Sequence, residues 1–227
     1  MDYAIGDIHG CLDKVLRLLE VIHYDPAADR LIFLGDYVDR GPDSKGVLDC
    51  LLRVQEDNPA TIFLMGNHEE NFLTYIHACL TDQGTNSWLT EPFFAGGGTA
   101  TLLSYHPRLR HPQDPHLVNA IPPAHIMFLT QLPLYWTDDT YIAVHAGVRP
   151  GRPLEQQHTN DLLRIRSPFL HTPHGLGKYV VFGHTPFREV KYYADKVGID
   201  TGACYAHLGY GKLTAFCLQT QQTFQVE

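Results

Sequence analysis

The first 80 residues contain three short apolar runs, and each run stops at a glycine that is followed by aspartate or asparagine. These stops are Gly6-Asp7, Gly35-Asp36 and Gly66-Asn67. Apolar residues with helical spacing follow each stop, which is typical of a strand that leads into a helix. Strands that alternate with helices form parallel sheets buried on both faces. The front of the chain is therefore predicted to be α/β, with Ser44 as the N-cap of the second helix.

The last third of the chain has a different pattern, in which short apolar runs are separated by turn residues. Asp138-Asp139 lies between two such runs, and this arrangement is typical of a β-hairpin. Further strands are predicted at 179–182, 189–193, 197–199, 213–218 and 223–226. We expect this part of the chain to be mostly antiparallel β-structure.

Residues from about 81 to 132 fit neither pattern, because they hold several prolines and the triple glycine Gly96-Gly97-Gly98. Short helices are predicted near 99–105 and 125–132. A stretch this long inside a compact domain is usually either functional or disordered. We interpret it as an inserted cap or specificity region on a single domain that spans residues 1–227. The triple glycine is expected to form a hinge or turn, since neither a strand nor a lysine accompanies it.

Composition excludes several classes of function. A formal net charge of −8 argues against non-specific binding of nucleic acid, which depends on clustered lysine and arginine. No apolar run approaches the roughly 20 residues that a membrane span needs, so no membrane partner is expected. The chain reaches Asp7 without a basic stretch, so no signal peptide is expected and the predicted location is cytoplasmic. The five cysteines never form a CxxC pair, so a thiolate metal site is not expected either.

Three glycine-flanked motifs carry the chemistry of the first part of the chain. They are Gly6-Asp7-Ile8-His9-Gly10, Gly35-Asp36-Tyr37-Val38-Asp39-Arg40-Gly41 and Gly66-Asn67-His68-Glu69. The first two aspartates are 29 residues apart and the asparagine follows 31 residues later, each about one β-α-β step. The motifs should therefore meet at one edge of the sheet, where ligands bind in such folds. Further along the chain, His145 and His184 each follow an apolar strand and precede a tight turn.

These residue types suit a pair of divalent cations. Carboxylate, amide and imidazole ligands favour Mn²⁺, Fe or Zn²⁺. Asp36 is predicted to bridge the two ions, with Asp7 and His9 on the first. The second ion is assigned to Asn67, His145 and His184. Such a metal pair clamps a phosphoryl group and generates hydroxide at neutral pH by lowering the pKa of bound water.

The combination GDxHG, GDxxDRG and GNHE resembles the phosphoprotein-phosphatase branch of the calcineurin-like metallophosphoesterases. The compact bacterial and phage serine/threonine phosphatases are the most similar group. The resemblance implies an α/β (α+β) fold, a β-sandwich of two mixed sheets flanked by helices, with the metal site at the carboxyl ends of strands. It also implies Mn²⁺ as the metal, and phosphorylated proteins or peptides, or small phosphate esters, as substrates.

The resemblance also implies roles for the remaining motif residues. His68 would protonate the leaving group, and Asp39 would hydrogen-bond His68 to form a general-acid pair. Arg40 would grip phosphate oxygens, and Arg166 in the Leu162-Leu163-Arg164-Ile165-Arg166 stretch would be a second phosphate-binding arginine. A hydroxide that bridges the metals would attack phosphorus in line.

Departures from the family pattern leave the substrate open. Met65 stands where eukaryotic-type members carry arginine, so one phosphate-gripping cation is missing unless Arg166 or Arg164 replaces it. The alternative enzyme is the symmetrical bis(5'-nucleosyl)-tetraphosphatase, the diadenosine tetraphosphate hydrolase, which usually has alanine at the position of Asp39 and GNHD in place of GNHE. Asp39 and Glu69 favour a protein phosphatase, whereas Met65 favours the dinucleotide hydrolase. A binding module without catalysis would have lost a ligand or the acid, and none is lost here.

Overall fold

The computed structural model describes residues 1–81, 87–108 and 115–227, and within them ten strands form two five-stranded sheets. The strands are β1 (Asp2–Ile5), β2 (Arg30–Phe33), β3 (Ile62–Phe63), β4 (Tyr135–Thr137), β5 (Tyr141–Val144), β6 (Tyr179–Phe182), β7 (Lys191–Tyr192), β8 (Lys196–Gly198), β9 (Leu213–Cys217) and β10 (Thr223–Val226). The helices are α1 (Leu12–Val21), α2 (Ser44–Asp57), α3 (Asn67–Leu80), α4 (Ser87–Ala95), α5 (Gly98–Tyr105), α6 (Pro123–Thr130) and α7 (Thr159–Arg164). Four short 3-10 helices lie at Pro115–Ala120, Leu154–Gln156, Phe169–His171 and Ala206–Leu208.

Sheet A has the order β10-β9-β1-β2-β3, and its three front strands confirm the predicted α/β pattern. The pairs β1–β2 and β2–β3 are parallel, and α1 and α2 make the crossovers. The C-terminal hairpin of β9 and β10 joins the sheet antiparallel to β1. Sheet A is therefore mixed, as the resemblance implied.

Sheet B has the order β4-β5-β6-β8-β7, and its centre departs from the expected antiparallel pairing, which holds for its two edges and for β9 and β10. The central pairs β5–β6 and β6–β8 are parallel, and only the edge strands β4 and β7 run antiparallel to their neighbours. A crossover that contains α7 and two 3-10 helices separates β5 from β6, which allows the parallel pairing. These short helices have too few turns to produce a recognisable apolar period, so the sequence pattern did not reveal the crossover.

The two sheets pack face to face, and this confirms the expected β-sandwich flanked by helices. Ala4, Ile32 and Leu34 of sheet A form one apolar cluster with Ala143 and Val181 of sheet B. Side chains alternate along a strand, so the neighbouring residues of sheet A face α1, α2 and α3 on its other side. A third cluster covers the outer face of sheet B and includes residues of α7. Each sheet is thus buried on both faces, which explains the continuous apolar runs in the sequence.

The predicted inserted region packs on the same core as α1 to α3, over the residues that the structure describes. Phe93 of α4 stacks on Phe72 of α3 at 5.3 Å between ring centroids, and on Tyr75 at 4.5 Å. The predicted bounds of α5 and α6 agree with the structure to within two residues. Helix α4 was not predicted, because Pro92 lacks the N–H that a helix interior needs. Residues 82–86 and 109–114 of the inserted region lie outside the described residues.

Helix α2 begins at Ser44, one residue earlier than the predicted N-cap at Ser44 implies. Asp43 is the N-cap, because its carboxylate accepts a hydrogen bond from the backbone N–H of Gly46 at 2.8 Å. Ser44 is the first helical residue, and its hydroxyl is instead used by Asp39 and Thr101.

Candidate active site

The carboxyl ends of strands from both sheets meet at one edge of the sandwich. Asp7 and Asp36 follow β1 and β2, and Asn67 begins α3 just after β3. His145 follows β5 and His184 follows β6, so both sheets contribute. Asp7, His9, Asp36 and His145 are all buried, with 2% or less of each residue exposed. The structure therefore brings all six predicted metal ligands to one place.

Asp36 lies at the centre of this site. Its Oδ1 atom is 3.3 Å from Nε2 of His145, and its Oδ2 atom is 3.4 Å from Nε2 of His9. The carboxylate thus belongs to one group with His9 and His68 and to another with His145 and His184, each compact enough to hold a metal ion. Burial raises the pKa of Asp36, but the group of imidazoles around the carboxylate lowers it by more, so the carboxyl is ionised at neutral pH.

The buried imidazoles His9 and His145 are oriented for metal binding by backbone carbonyls. Nδ1 of His9 is 2.8 Å from the carbonyl oxygen of Val38, and Nδ1 of His145 is 2.9 Å from that of Leu34. A carbonyl only accepts, so each Nδ1 carries the proton and each Nε2 presents a lone pair to the site. Burial lowers the pKa of both rings, which keeps them neutral. A second bond that fixes the ring in this way is typical of metal-binding histidines.

The arrangement of acceptor atoms fits a divalent cation. Nε2 of His145 lies 3.0 Å from Oδ1 of Asn67 and 3.3 Å from Oδ1 of Asp36. All three atoms present lone pairs, and the proton of the ring is held on the opposite nitrogen. A cation among them would replace their mutual repulsion with attraction. The donor set of imidazole nitrogen, amide oxygen and carboxylate oxygen suits Mn²⁺, Fe or Zn²⁺.

Asp7 and His184 connect the two sheets at the rim of the site. The backbone N–H of His184 donates to both carboxylate oxygens of Asp7, at 3.0 and 3.1 Å. Burial lowers the pKa of the His184 ring to about 3, so this imidazole is also neutral and can act as a ligand. Burial raises the pKa of Asp7 well above its ordinary range, with further increases from Asp200 and Asp36. A bound cation would reverse that effect.

The motif loops adopt strained backbone conformations at the site. Positive φ angles occur at His9 (46°), Asp36 (53°), Asp39 (73°), Arg40 (69°) and His184 (62°). Residues with a Cβ rarely adopt such angles, and clusters of them are typical of functional sites. The loops must therefore be held in place by strong contacts.

Glu69 supplies one of those contacts, and sequence reasoning missed its role. Its carboxylate accepts hydrogen bonds from the backbone N–H groups of Asp36 and Tyr37, both at 2.8 Å, and from that of Gly66 at 3.0 Å. It fixes the second motif loop against the start of α3. A glutamate three residues after the N-cap, accepting from the N-cap N–H, is one half of a capping box, and it was the available signal.

The predicted acid pair is present as a direct hydrogen bond. Nδ1 of His68 lies 2.7 Å from Oδ2 of Asp39, and Nε2 of His68 is 3.8 Å from Oδ2 of Asp36. Burial lowers the pKa of His68, but Asp36 and Asp39 raise it by more, so it stays above the ordinary value. His68 can therefore carry a proton into the site.

The two predicted phosphate-binding arginines lie at the mouth of the site. Nη1 of Arg40 is 2.5 Å from Nε2 of His9, and its guanidinium lies over the ring of Tyr205. A metal ion on that nitrogen would replace the hydrogen bond and leave the guanidinium for phosphate oxygens. Nη2 of Arg166 is 3.5 Å from the carbonyl oxygen of His184 and is exposed to solvent. Both arginines are therefore close to predicted metal ligands.

Arg164 does not replace the arginine that is missing at Met65. Its guanidinium donates to the carboxylate of Glu70 and, at 3.0 Å, to the side-chain oxygen of Asn71. These hydrogen bonds hold the Arg164 guanidinium on α3. Arg40 and Arg166 remain as the arginines next to the site among the described residues.

A model of the calcineurin-like phosphoesterase family matches residues 3–188, most of the chain. The chain belongs to this family. It is 48% identical over 149 residues to the symmetrical bis(5'-nucleosyl)-tetraphosphatase of Methylococcus capsulatus, a match that covers 66% of this chain and 44% of that protein. The protein of the same name from Nitrosomonas europaea is 30% identical over 154 residues, which cover 68% of this chain and 47% of the relative. The chain thus matches less than half the length of each of these curated relatives.

Solved structures show the same fold. A candidate diadenosine tetraphosphatase superposes with a TM-score of 0.73 at 23% identity, covering 99% of this chain and 92% of that one. A serine/threonine protein phosphatase from Saccharomyces cerevisiae superposes with a TM-score of 0.64 at 17% identity, covering 100% of this chain and 79% of that one. These findings make the chain a metallophosphoesterase, and members of this family bind divalent metals. No helix in the described part of the chain is long and apolar enough to span a bilayer.

Proposed function

We propose that this protein hydrolyses symmetrical dinucleoside tetraphosphates, such as diadenosine tetraphosphate, at the central phosphoanhydride to give two nucleoside diphosphates. The observation that carries hydrolysis at phosphorus is the single carboxylate of Asp36 shared by two potential metal-binding groups, next to the His68–Asp39 pair. The curated relatives support the choice of substrate, since they are symmetrical bis(5'-nucleosyl)-tetraphosphatases and one is 48% identical to this chain over 149 residues. The comparisons therefore favour the dinucleotide hydrolase over the protein phosphatase that the motifs first suggested.

The predicted ligands have distinct tasks in this proposal. Asp7 and His9 would hold one metal, Asn67, His145 and His184 would hold the other, and Asp36 would belong to both. When bound, such a metal pair neutralises phosphate charge and lowers the pKa of a coordinated water.

Charge complementarity explains why the arginines matter. A tetraphosphate chain is strongly anionic, whereas this protein carries a formal net charge of −8. Local cations must therefore attract the substrate. Arg40 and Arg166, which lie beside His9 and His184, would bind the oxygens of phosphate groups next to the reacting one, and the planar guanidinium group suits such contacts.

His68 would donate its proton to the oxygen that leaves phosphorus. Its Nδ1 is bound by Asp39, so the proton to be transferred resides on Nε2, the nitrogen on the side of Asp36. The leaving oxygen is then protonated as its bond to phosphorus breaks, so it does not depart with a full negative charge.

A second candidate function is hydrolysis of phosphoserine or phosphothreonine in proteins or peptides. The observation that favours it is the short 2.7 Å hydrogen bond between Asp39 and His68. A serine or threonine alkoxide is far more basic than a nucleoside diphosphate, so its departure depends more on a strong, well-placed acid. Against this candidate, Met65 removes one arginine that the resemblance to protein phosphatases implies, and Arg164 is bound to α3.

A substrate comparison tests the proposal. Metal-free protein would be reconstituted separately with Mn²⁺, Fe²⁺ and Zn²⁺, and kcat/KM measured for diadenosine tetraphosphate and for a phosphoserine peptide. We expect faster turnover of the dinucleotide, with ADP as its only nucleotide product. Formation of ATP and AMP would contradict symmetrical cleavage, and a faster reaction with the peptide would establish the second candidate. His68→Asn protein, loaded in the same way, controls for contaminating phosphatases.

A further inference from the structure

The second oxygen of the Asp39 carboxylate is bound by a residue from the predicted inserted region. Oγ1 of Thr101, on α5, lies 2.6 Å from Oδ1 of Asp39, and the backbone N–H of Asp39 donates to the same Oγ1 at 2.8 Å. Thr101 and Asp39 are both completely buried. Thr101 is 62 residues from Asp39 in sequence, so only the fold brings them together.

The directions of these hydrogen bonds follow from the chemistry of the groups. A carboxylate only accepts, so the single hydroxyl proton of Thr101 goes to Asp39. The hydroxyl of Ser44 lies 3.0 Å from Oγ1 of Thr101 and must then be the donor of that pair. The result is one chain of bonds from Ser44 through Thr101 to Asp39, whose other oxygen binds His68. Each carboxylate oxygen thus has a fixed partner.

We propose that Thr101 is a positioning residue for the general acid. Its hydroxyl fixes the plane of the Asp39 carboxylate, which in turn fixes the imidazole of His68 so that Nε2 faces the reacting phosphate. This inference depends on the acid role of His68 in the proposed function, but it does not depend on which phosphate ester is the natural substrate.

The segment around Thr101 is itself anchored close to the site. A Cβ on Gly96 would lie 3.0 Å from Cε1 of His68, so this backbone packs directly against the acid. The hydroxyl of Ser104 accepts from the backbone N–H of Lys45 at 3.0 Å and donates to the carbonyl oxygen of Thr101 at 2.7 Å. Helix α5 is therefore held on the start of α2, and Thr101 cannot move without disturbing both helices.

Substituting Thr101 tests the proposal with two aryl phosphates that differ in their need for an acid. Phenyl phosphate releases a basic phenolate, whereas 4-nitrophenyl phosphate releases a far less basic one. General-acid catalysis contributes about 10²- to 10⁴-fold, so we expect Thr101→Val to lower kcat for phenyl phosphate by about 10-fold. The decrease for 4-nitrophenyl phosphate should be much smaller, and KM for both should stay near the wild-type value. Thr101→Ser, which keeps the hydroxyl, should restore most of the activity.

A matched control separates this effect from loss of packing. Thr61→Val makes the same change at a buried threonine outside the site, whose hydroxyl has no hydrogen-bond partner among the residues that the structure describes. It should leave both rates unchanged. Equal losses with the two esters in Thr101→Val, or no rescue by serine, would overturn the proposal. If Thr101→Val does not fold, Ser44→Ala should give the same leaving-group dependence with a smaller amplitude, and a uniform loss would again contradict it.

A spectroscopic measurement needs no turnover. The Nδ1 proton of His68, hydrogen-bonded to Asp39, should give a downfield ¹H NMR signal in the wild type and in Thr101→Ser. That signal should shift or broaden in Thr101→Val, and an unchanged signal would contradict the positioning role. Unaltered aryl phosphatase activity in His68→Asn would instead refute the acid assignment on which the proposed function rests. The rate with diadenosine tetraphosphate bears only on the choice of substrate.

Discussion

Nδ1 of His68 and Oδ2 of Asp39 are 2.7 Å apart in a buried part of the site, and Nε2 of the same ring lies 3.8 Å from Oδ2 of Asp36. The bond gives the two ring nitrogens different roles. Nδ1 is held by Asp39, and Nε2 faces Asp36. The two carboxylates raise the pKa of His68 by more than burial lowers it. His68 therefore stays protonated to higher pH than an ordinary histidine, as a general acid requires.

Replacing His68 with asparagine should abolish most turnover. We expect kcat to fall by about 10²- to 10⁴-fold, because the proton donor is lost while the predicted metal ligands are untouched. Metal content, measured by elemental analysis of the purified protein, should stay near the wild-type value. Unchanged activity would contradict the acid assignment, and a parallel loss of metal would mean that His68 acts as a ligand.

Replacing Asp36 with asparagine should remove both predicted metal ions together. Its carboxylate is shared between the group with His9 and the group with His145 and His184, so a neutral amide weakens both. Metal that binds only the folded state at 100 times its dissociation constant stabilises it by about 2.7 kcal/mol. The Tm of the wild type should therefore rise on adding Mn²⁺, and that of Asp36→Asn should not.

A matched variant makes this prediction specific. His184 belongs to only one of the two groups, so His184→Gln should retain part of the metal content. An Asp36→Asn protein that binds as much Mn²⁺ as the wild type would show that Asp36 is not a shared ligand.

Stability in acid should depend on Asp161, which supports the loop after β5. Leu162 of the same helix accepts a backbone hydrogen bond from Ala146, next to His145. The carboxylate of Asp161 accepts hydrogen bonds from Arg149, and these lower the pKa of Asp161 despite its burial. A lowered folded-state pKa adds stability above the unfolded value of about 4, and this stability is lost as the pH falls through the folded value.

Asp161→Asn should therefore lower the free energy of unfolding more at pH 6 than at pH 3. Urea unfolding of the wild type and the variant at both pH values measures this difference. The exposed turn residue Asp139 gives the control, since Asp139→Asn should change little at either pH. An Asp161→Asn effect of equal size at pH 3 and pH 6 would exclude the ionic contribution.

The sequence predicted the part of the site that depends on local pattern. A strand, a glycine and a polar ligand follow one another directly in the chain, so Asp7, Asp36 and Asn67 could be placed at one sheet edge without knowledge of the fold. The strand and histidine pattern located His145 and His184 in the same way.

Other features depend on contacts between distant segments and left no local trace. Thr101 reaches Asp39 across 62 residues, and a threonine in an apolar helix has no distinguishing pattern. Serine and aspartate are both common N-cap residues, so the sequence alone could not decide between Ser44 and the neighbouring Asp43. The parallel pairing of β6 with β5 depends on a crossover whose helices are too short to be recognised, and the crossover from β6 to β8 contains only the two-residue strand β7. The motifs also could not identify the substrate, because both enzyme groups share the same metal ligands.

A methyl group added at Gly97 should damage phosphate binding. Gly97 has a φ of +97°, and a Cβ there would lie 2.9 Å from Cγ of Arg40 and 3.2 Å from its backbone nitrogen. The carbonyl oxygen of Gly97 also accepts a hydrogen bond from that nitrogen at 3.3 Å. Gly97→Ala should therefore displace Arg40 and raise KM several-fold for any phosphate substrate, measured by steady-state kinetics.

Gly151 provides the control that separates strain from contact. Its φ is +75°, but a Cβ there would meet no atom of the described residues within 4 Å. A left-handed conformation costs a residue with a Cβ roughly 1–2 kcal/mol, so both alanine variants should lose stability in urea unfolding. Only Gly97→Ala should raise KM, since only its methyl group contacts a residue of the site. Equal KM values in the two variants would mean that the 96–98 turn does not position Arg40.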